Sequence, residues 1–141
     1  EVWSTPKGVQ ILAEIMSEDH EQNDMVWQPA SPTIGMRKMK RGILAYRLAY
    51  PDLIFTINHL SCCEDSQNVF VSWTARGTNL GPIREQPPTL KVSHFSGITR
   101  LLFNAEDRIQ ASFVFRQAPA DEATYFLAAT KSGPGAGAQP S

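Results

Sequence analysis

Three side chains have an ordinary pKa near neutrality: His20, His59 and His94. His94 lies beside Phe95 in a run that alternates like a strand, and it is the first candidate for moving a proton. Alternation puts its ring on the face opposite Phe95. His59 has the same character with less to support it. His20 sits in the acidic run Glu18-Asp19-His20-Glu21 and is expected to face solvent. Asp24, close to Trp27, is the second acid–base candidate and is expected at a pocket mouth. Asp52 follows Pro51 and suits a turn, as does Asp107. No two carboxylates share a catalytic spacing. The histidines are far apart, and no helix pairs His with His or Glu as zinc enzymes do, so no metal and no cofactor is expected.

Cys62 and Cys63 are adjacent. Neighbouring Cβ atoms point apart in an extended chain, so a disulfide between them is disfavoured. The C-x-x-C spacing of redox and metal sites is absent. A reduced pair at a strand end, in a reducing compartment such as the cytoplasm or an organelle interior, is the expectation. The chain opens on Glu1 rather than Met, which leaves room for a targeting segment removed earlier. No N-x-S/T acceptor occurs. Arg37, Lys38, Lys40 and Arg41 form a basic cluster. It reads as a solvated face, or as an attraction for an acidic partner or anion.

The chain has 141 residues, 13 basic and 14 acidic side chains, and a net charge of −1. That balance excludes bulk nucleic-acid binding, which shows a basic excess. No apolar run approaches the roughly 18 residues that span a bilayer, so no membrane partner is expected. With 42% apolar residues, one domain with one core is expected over 1–130. Residues 131–141, rich in Gly, Pro, Ala and Ser, read as a flexible tail.

The elements follow from period and punctuation. Trp3 suggests the end of an earlier helix. Thr5-Pro6 reads as an N-cap and first helical position, with Val9, Leu12, Ile15 and Met16 at helical spacing, so a helix is predicted over 6–18. A short strand is predicted over 24–28 and a loop over 29–35. Met39, Ile43, Tyr46 and Tyr50 make the apolar stripe of a helix over 36–50, which Pro51 ends. The period then changes to two. Strands are predicted over 53–61, 68–79, 89–103 and 107–117, with a hairpin turn at 104–107. Asp121 can cap a final helix through Leu127. Helices followed by sequential antiparallel strands give an α+β fold: a curved antiparallel sheet, a half-barrel cone, covered by N-terminal helices.

The chain resembles a known family in several ordered places. These are Tyr50-Pro51-Asp52-Leu53-Ile54-Phe55 after a helix, Val71-Ser72-Trp73-Thr74-Ala75-Arg76-Gly77-Thr78, Phe95-Ser96-Gly97-Ile98, and Glu106-Asp107-Arg108-Ile109. Val26-Trp27, Pro29 and Gly35 precede them. In this order they resemble the SnoaL-like polyketide cyclases of the nuclear-transport-factor-2-like superfamily, over about residues 3–117. The resemblance implies a pocket between helix and sheet. It also implies a His or Asp just after the first-strand Trp, and an Asp or His three residues beyond the Arg-Ile pair. Gln28 and Ser112 stand at those places. An amide does not titrate, and a serine hydroxyl needs a neighbouring base.

The function expected from this is an apolar pocket that binds a small hydrophobic molecule. Trp27, Gln28, Tyr46, Phe55, Trp73 and Ser112 would line it, and Asn58 and Ser72 would add neutral hydrogen bonds. The alternatives are a cyclase, isomerase or hydrolase with its base elsewhere, His94 or Asp24, and a protein-interaction module. Val69, Val71 and Trp73 alternate with Phe70, so both sheet faces carry apolar residues, and a homodimer would cover the outer one. An empty interior would favour a ligand, and a filled one would favour interaction.

Overall fold

The structure is a computed structural model that describes residues 3, 7–26, 32–64 and 66–123. The chain opens with a 3-10 turn, Gly8–Ile11, running into a short helix α1, Leu12–Ile15. Strand β1, Met16–Asp24, follows directly. The helix predicted to 18 therefore stops three residues early, and the first strand lies ahead of its predicted place at 24–28. Serine and aspartate, present here as Ser17 and Asp19, are poorer helix formers, and Met16 turns to φ −115°, ψ 147° so that the backbone can pair. A two-residue strand β2, Thr33–Ile34, lies within the predicted loop and pairs with β1. Gly35 follows with φ +93°, a left-handed position that favours glycine, and its N–H donates to the His20 carbonyl at 2.9 Å.

Helix α2, Met36–Ala49, buries Met36, Met39, Ile43 and Ala49. Tyr50 closes it, and Arg47 in the last turn donates to the Trp3 carbonyl at 2.7 Å and the Pro51 carbonyl at 2.8 Å. A cation at that end also suits the helix dipole. Then come β3 (Ile54–Cys62), β4 (Asn68–Thr78), β5 (Val92–Phe103) and β6 (Ile109–Arg116), close to their predicted bounds. The predicted turn at 104–107 is present. Asn104 accepts the N–H groups of Glu106 and Arg108, each at 3.0 Å. Asp52 shapes its turn by accepting the Thr78 N–H at 2.6 Å and hydroxyl at 2.7 Å.

The sheet order is β2-β1-β6-β5-β4-β3. All pairs are antiparallel except β1 with β6, which are parallel, so the curved open sheet is mixed rather than wholly antiparallel. Register shifts at 16/21, 57/59 and 102/103 bend it. The α+β cone stands. Its concave side holds two apolar clusters bridged by α2. Leu12, Met16, Met36, Met39, Ile43 and Ile109 form one. Ala49, Tyr50, Leu53, Trp73, Ala75, Ile83, Phe95 and Val114 form the other. No helix among the described residues is long and apolar enough to cross a membrane. Residues 120–123 form a helical turn, and the rest of the predicted final helix and the tail lie outside the described residues.

Candidate functional site

Strand alternation in β6 puts Ser112, Val114 and Arg116 on the concave face, where Val114 joins the core. The parallel register sets Gln22 beside Ser112 and Asp24 beside Val114. The antiparallel one sets Gly97 beside Arg116. Glycine is required there. A Cβ at Gly97 would lie 2.6 Å from Trp73 Cζ2 and 2.8 Å from Arg116 Cβ.

Arg116 brings a charge into this interior, and two carboxylates meet it. Its Nε and Nη2 donate to Asp24 Oδ2 at 3.1 and 3.0 Å. Nη1 and Nη2 donate to Glu122 Oε2 and Oε1 at 2.7 and 3.2 Å. The remaining N–H reaches the Gln117 carbonyl at 3.4 Å. All five donors are thus engaged. Burial works against the guanidinium charge, but the Glu122 hydrogen bonds and the charges of Glu122 and Asp24 outweigh it and raise the pKa. The guanidinium is held in its charged form.

Tyr46 lies against this cluster, with the Arg116 guanidinium carbon 5.8 Å from its ring centroid. Its buried hydroxyl has no hydrogen-bond partner, a condition shared among the described residues only by Asn68 Oδ1 and Arg100 Nε. Burial, then the Glu122 charge, pushes the phenol pKa well above its usual value, so the group is an O–H donor at any physiological pH. Aromatic rings surround it. Trp3, Tyr50 and Phe95 stand 6.0, 5.4 and 6.4 Å away between centroids, and Phe55 and Trp73 pack behind at 5.0 Å from each other. Tyr50 is satisfied. Its hydroxyl donates to Asp121 Oδ2 at 3.1 Å, and Asp121 also accepts from Ser93 at 2.8 Å and Thr89 at 2.6 Å. Burial, then the Asp121 charge, raises the Tyr50 pKa too.

A second polar group lies further down the same two strands. His20 is fully buried and Ser112 is 3% exposed. His20 Nδ1 meets the Ile109 carbonyl at 3.0 Å, and Nε2 meets the Ser112 hydroxyl at 3.2 Å. A carbonyl only accepts, so Nδ1 carries a proton, and in the neutral ring Nε2 accepts from the serine. The expectation that His20 faces solvent is therefore corrected. The acidic run is a strand, not a helix end, and pairing with β6 turns the imidazole inward.

His94 and His59 are exposed. His94 pairs with Arg76 across the sheet, on the face away from Phe95 and the Arg116 cluster. Asp24 is in the cluster. Of the expected pocket residues, Tyr46, Phe55 and Trp73 come together, and Ser112 joins His20 instead. Trp27 and Gln28 lie outside the described residues. Ser72 and Asn58 were expected to line the interior, but they line an open groove of about 630 Å³ on the outer face, with Ile98 and Phe115. Trp73 points inward, so alternation turns Ser72 out. Among the described residues no group of three or more His, Cys, Asp or Glu gathers to hold a metal ion. Cys62 and Cys63 are both free and exposed.

The family profile described as SnoaL-like polyketide cyclase matches residues 1–115. The chain belongs to the SnoaL-like polyketide cyclase family. Solved structures of similar fold include a protein assigned as a SnoaL-like polyketide cyclase from Jannaschia sp. CCS1. It is 15% identical with TM-score 0.72, and the match covers 94% of this chain and 83% of that one. One assigned as a polyketide cyclase from Acidithiobacillus ferrooxidans is 21% identical with TM-score 0.70, covering 92% and 87%. IdmH from Streptomyces antibioticus, assigned likewise, is 15% identical with TM-score 0.68, covering 92% and 91%. Among curated proteins no match was found.

Within this SnoaL-like fold, sequence reasoning missed Arg116, Glu122, Asp121 and the role of His20. One signal was present. If Ser112 faces inward, Arg116 four residues on must face inward too, and a buried guanidinium needs carboxylates. Nothing in the local pattern announced Glu122.

Proposed function

We propose that this SnoaL-like domain binds a small, mainly apolar molecule bearing an oxygen acceptor, at the aromatic end of the concave face. The observation that carries this is the unpartnered Tyr46 hydroxyl. A buried O–H without an acceptor costs about 1–3 kcal/mol, and a ligand carbonyl or ether oxygen would remove that cost. The Asp24–Arg116–Glu122 cluster holds the wall rigid and charged, and Tyr50, Phe55, Trp73 and Phe95 offer ring surface. Gln28 and Ser112 stand where the family resemblance places proton-transfer groups, which supports binding over cyclisation. The test compares 2-acetylnaphthalene with 2-ethylnaphthalene, which share a shape and differ in the carbonyl. Tighter binding of the ketone, lost in Tyr46→Phe, is expected. Equal binding of the two, or of neither, would refute the reading.

One observation favours an enzyme as a second reading. His20 Nε2 stands 3.2 Å from the Ser112 hydroxyl, so a base lies one hydrogen bond behind the family's last-strand position. Turnover of a polyketide-type β-keto ester by the parent, abolished in His20→Asn, would establish it. A homodimer through the outer face is supported by exposed Phe70, Ile98 and Phe115. A monomer by light scattering at micromolar concentration would count against it.

A further inference from the structure

Arg37, Lys38, Lys40 and Arg41 occupy the first two turns of α2, and none has an ion-pair or hydrogen-bond partner among the described residues. The placement is unfavourable twice over. Each cation opposes the helix dipole, and Arg37 repels Lys40 and Arg41 at helical spacing. Among the described residues Glu18 shares a groove with Arg37, Lys40 and Arg41 but makes no ion pair with any of them. The whole chain carries a net charge of −1 with 13 basic residues, and four of the 13 fall within residues 37–41.

The cations also have apolar company. Arg37, Lys40 and Arg41 border an open groove of about 560 Å³, lined as well by Ala13, Met36, Leu44 and Glu18. Leu44 and Leu48 are 57% and 66% exposed. Positions 37, 41, 44 and 48 follow the helical period, so cations and leucines share one outward stripe.

We propose that this groove and stripe dock an acidic protein partner, through a helix that presents apolar side chains flanked by carboxylates. Charge complementarity fixes the sign of the partner, and Leu44 and Leu48 supply the anchor that a bare polyanion would not use. A bilayer surface fits less well. It favours an apolar face flanked by cations along its length, and here the cations all sit at one end of the stripe.

The test uses the full chain and a labelled 18-residue helical peptide with Leu at i, i+3 and i+7 and Glu at the flanking positions, read by fluorescence anisotropy. Binding at low salt should weaken severalfold at about 200 mM, where screening is strong. Arg37→Gln with Arg41→Gln should lower affinity about tenfold. Leu44→Gln should lower it about fivefold, as lost apolar burial implies. Thermal melts confirm that each variant is folded, and Arg37→Glu serves if the Gln pair is not. No binding by the parent overturns the proposal. So does equal binding of a peptide with every Leu replaced by Ser, which would mean polyanion attraction alone. Retention on phosphatidylglycerol vesicles without peptide binding would assign the face to membranes and overturn it as well.

Discussion

Tyr46→Phe removes one oxygen and tests the candidate site from both sides. The hydroxyl is buried beside Arg116 and has no acceptor among the described residues. An unsatisfied buried polar group costs about 1–3 kcal/mol, and replacing it by an apolar group of the same shape is neutral or stabilising. The ring contacts with Trp3, Tyr50 and Phe95 remain, because phenylalanine keeps the ring. The variant should therefore be more stable than the parent by about 1 kcal/mol, or about 3–5 °C in midpoint for a domain of this size. Binding should move the other way. A net hydrogen bond contributes about 0.5–1.5 kcal/mol, so affinity for 2-acetylnaphthalene should fall about threefold to tenfold. Urea denaturation and a fluorescence titration measure the two effects separately. A variant destabilised by 1 kcal/mol or more would show that the hydroxyl already has a partner, and the argument for a ligand oxygen would fail with it.

Other substitutions probe what holds the site. Arg116→Met strips the cation from Asp24 and Glu122 and should cost about 3–5 kcal/mol, seen as a large fall in denaturation midpoint. Retention of parental stability would show that the cluster contributes nothing to the fold. Gly97→Ala puts a methyl 2.6 Å from Trp73 and 2.8 Å from Arg116, and should cost about 1–3 kcal/mol by overpacking. Asp52 has its pKa lowered from 3.8 by the Thr78 N–H and then its hydroxyl. Its stabilisation is therefore present above about pH 4 and lost as pH falls through the lower folded value. Asp52→Asn should melt below the parent at pH 6, and the gap should narrow as pH falls below about 4. Curves that stay parallel down to pH 2 would refute the assignment.

The elements that were legible share one property: their inward positions are apolar. In β4 and β5, Trp73, Ala75 and Phe95 face the core while Thr74 and His94 face out, so the period of two is written in hydrophobicity. Strand β1 lacks that signature. Its concave positions are His20, Gln22 and Asp24, set beside Ser112 and Val114 of β6. A strand that turns histidine and aspartate inward looks like a solvated acidic run, and the helix predicted over 6–18 runs into it. The same polarity that hid the strand is what makes the site. Arg116 illustrates the limit. Its inward face follows from parity with Ser112, but Asp24 lies 92 residues away and Glu122 comes from the turn beyond β6. No spacing rule links residues that far apart. What brings Asp24 to Arg116 is the parallel pairing of β1 with β6, the one parallel pair among the described strands and the one the strand pattern did not predict. The misread strand, the mixed sheet and the missed cluster thus have a single cause: polar residues placed inward where hydrophobic alternation is silent.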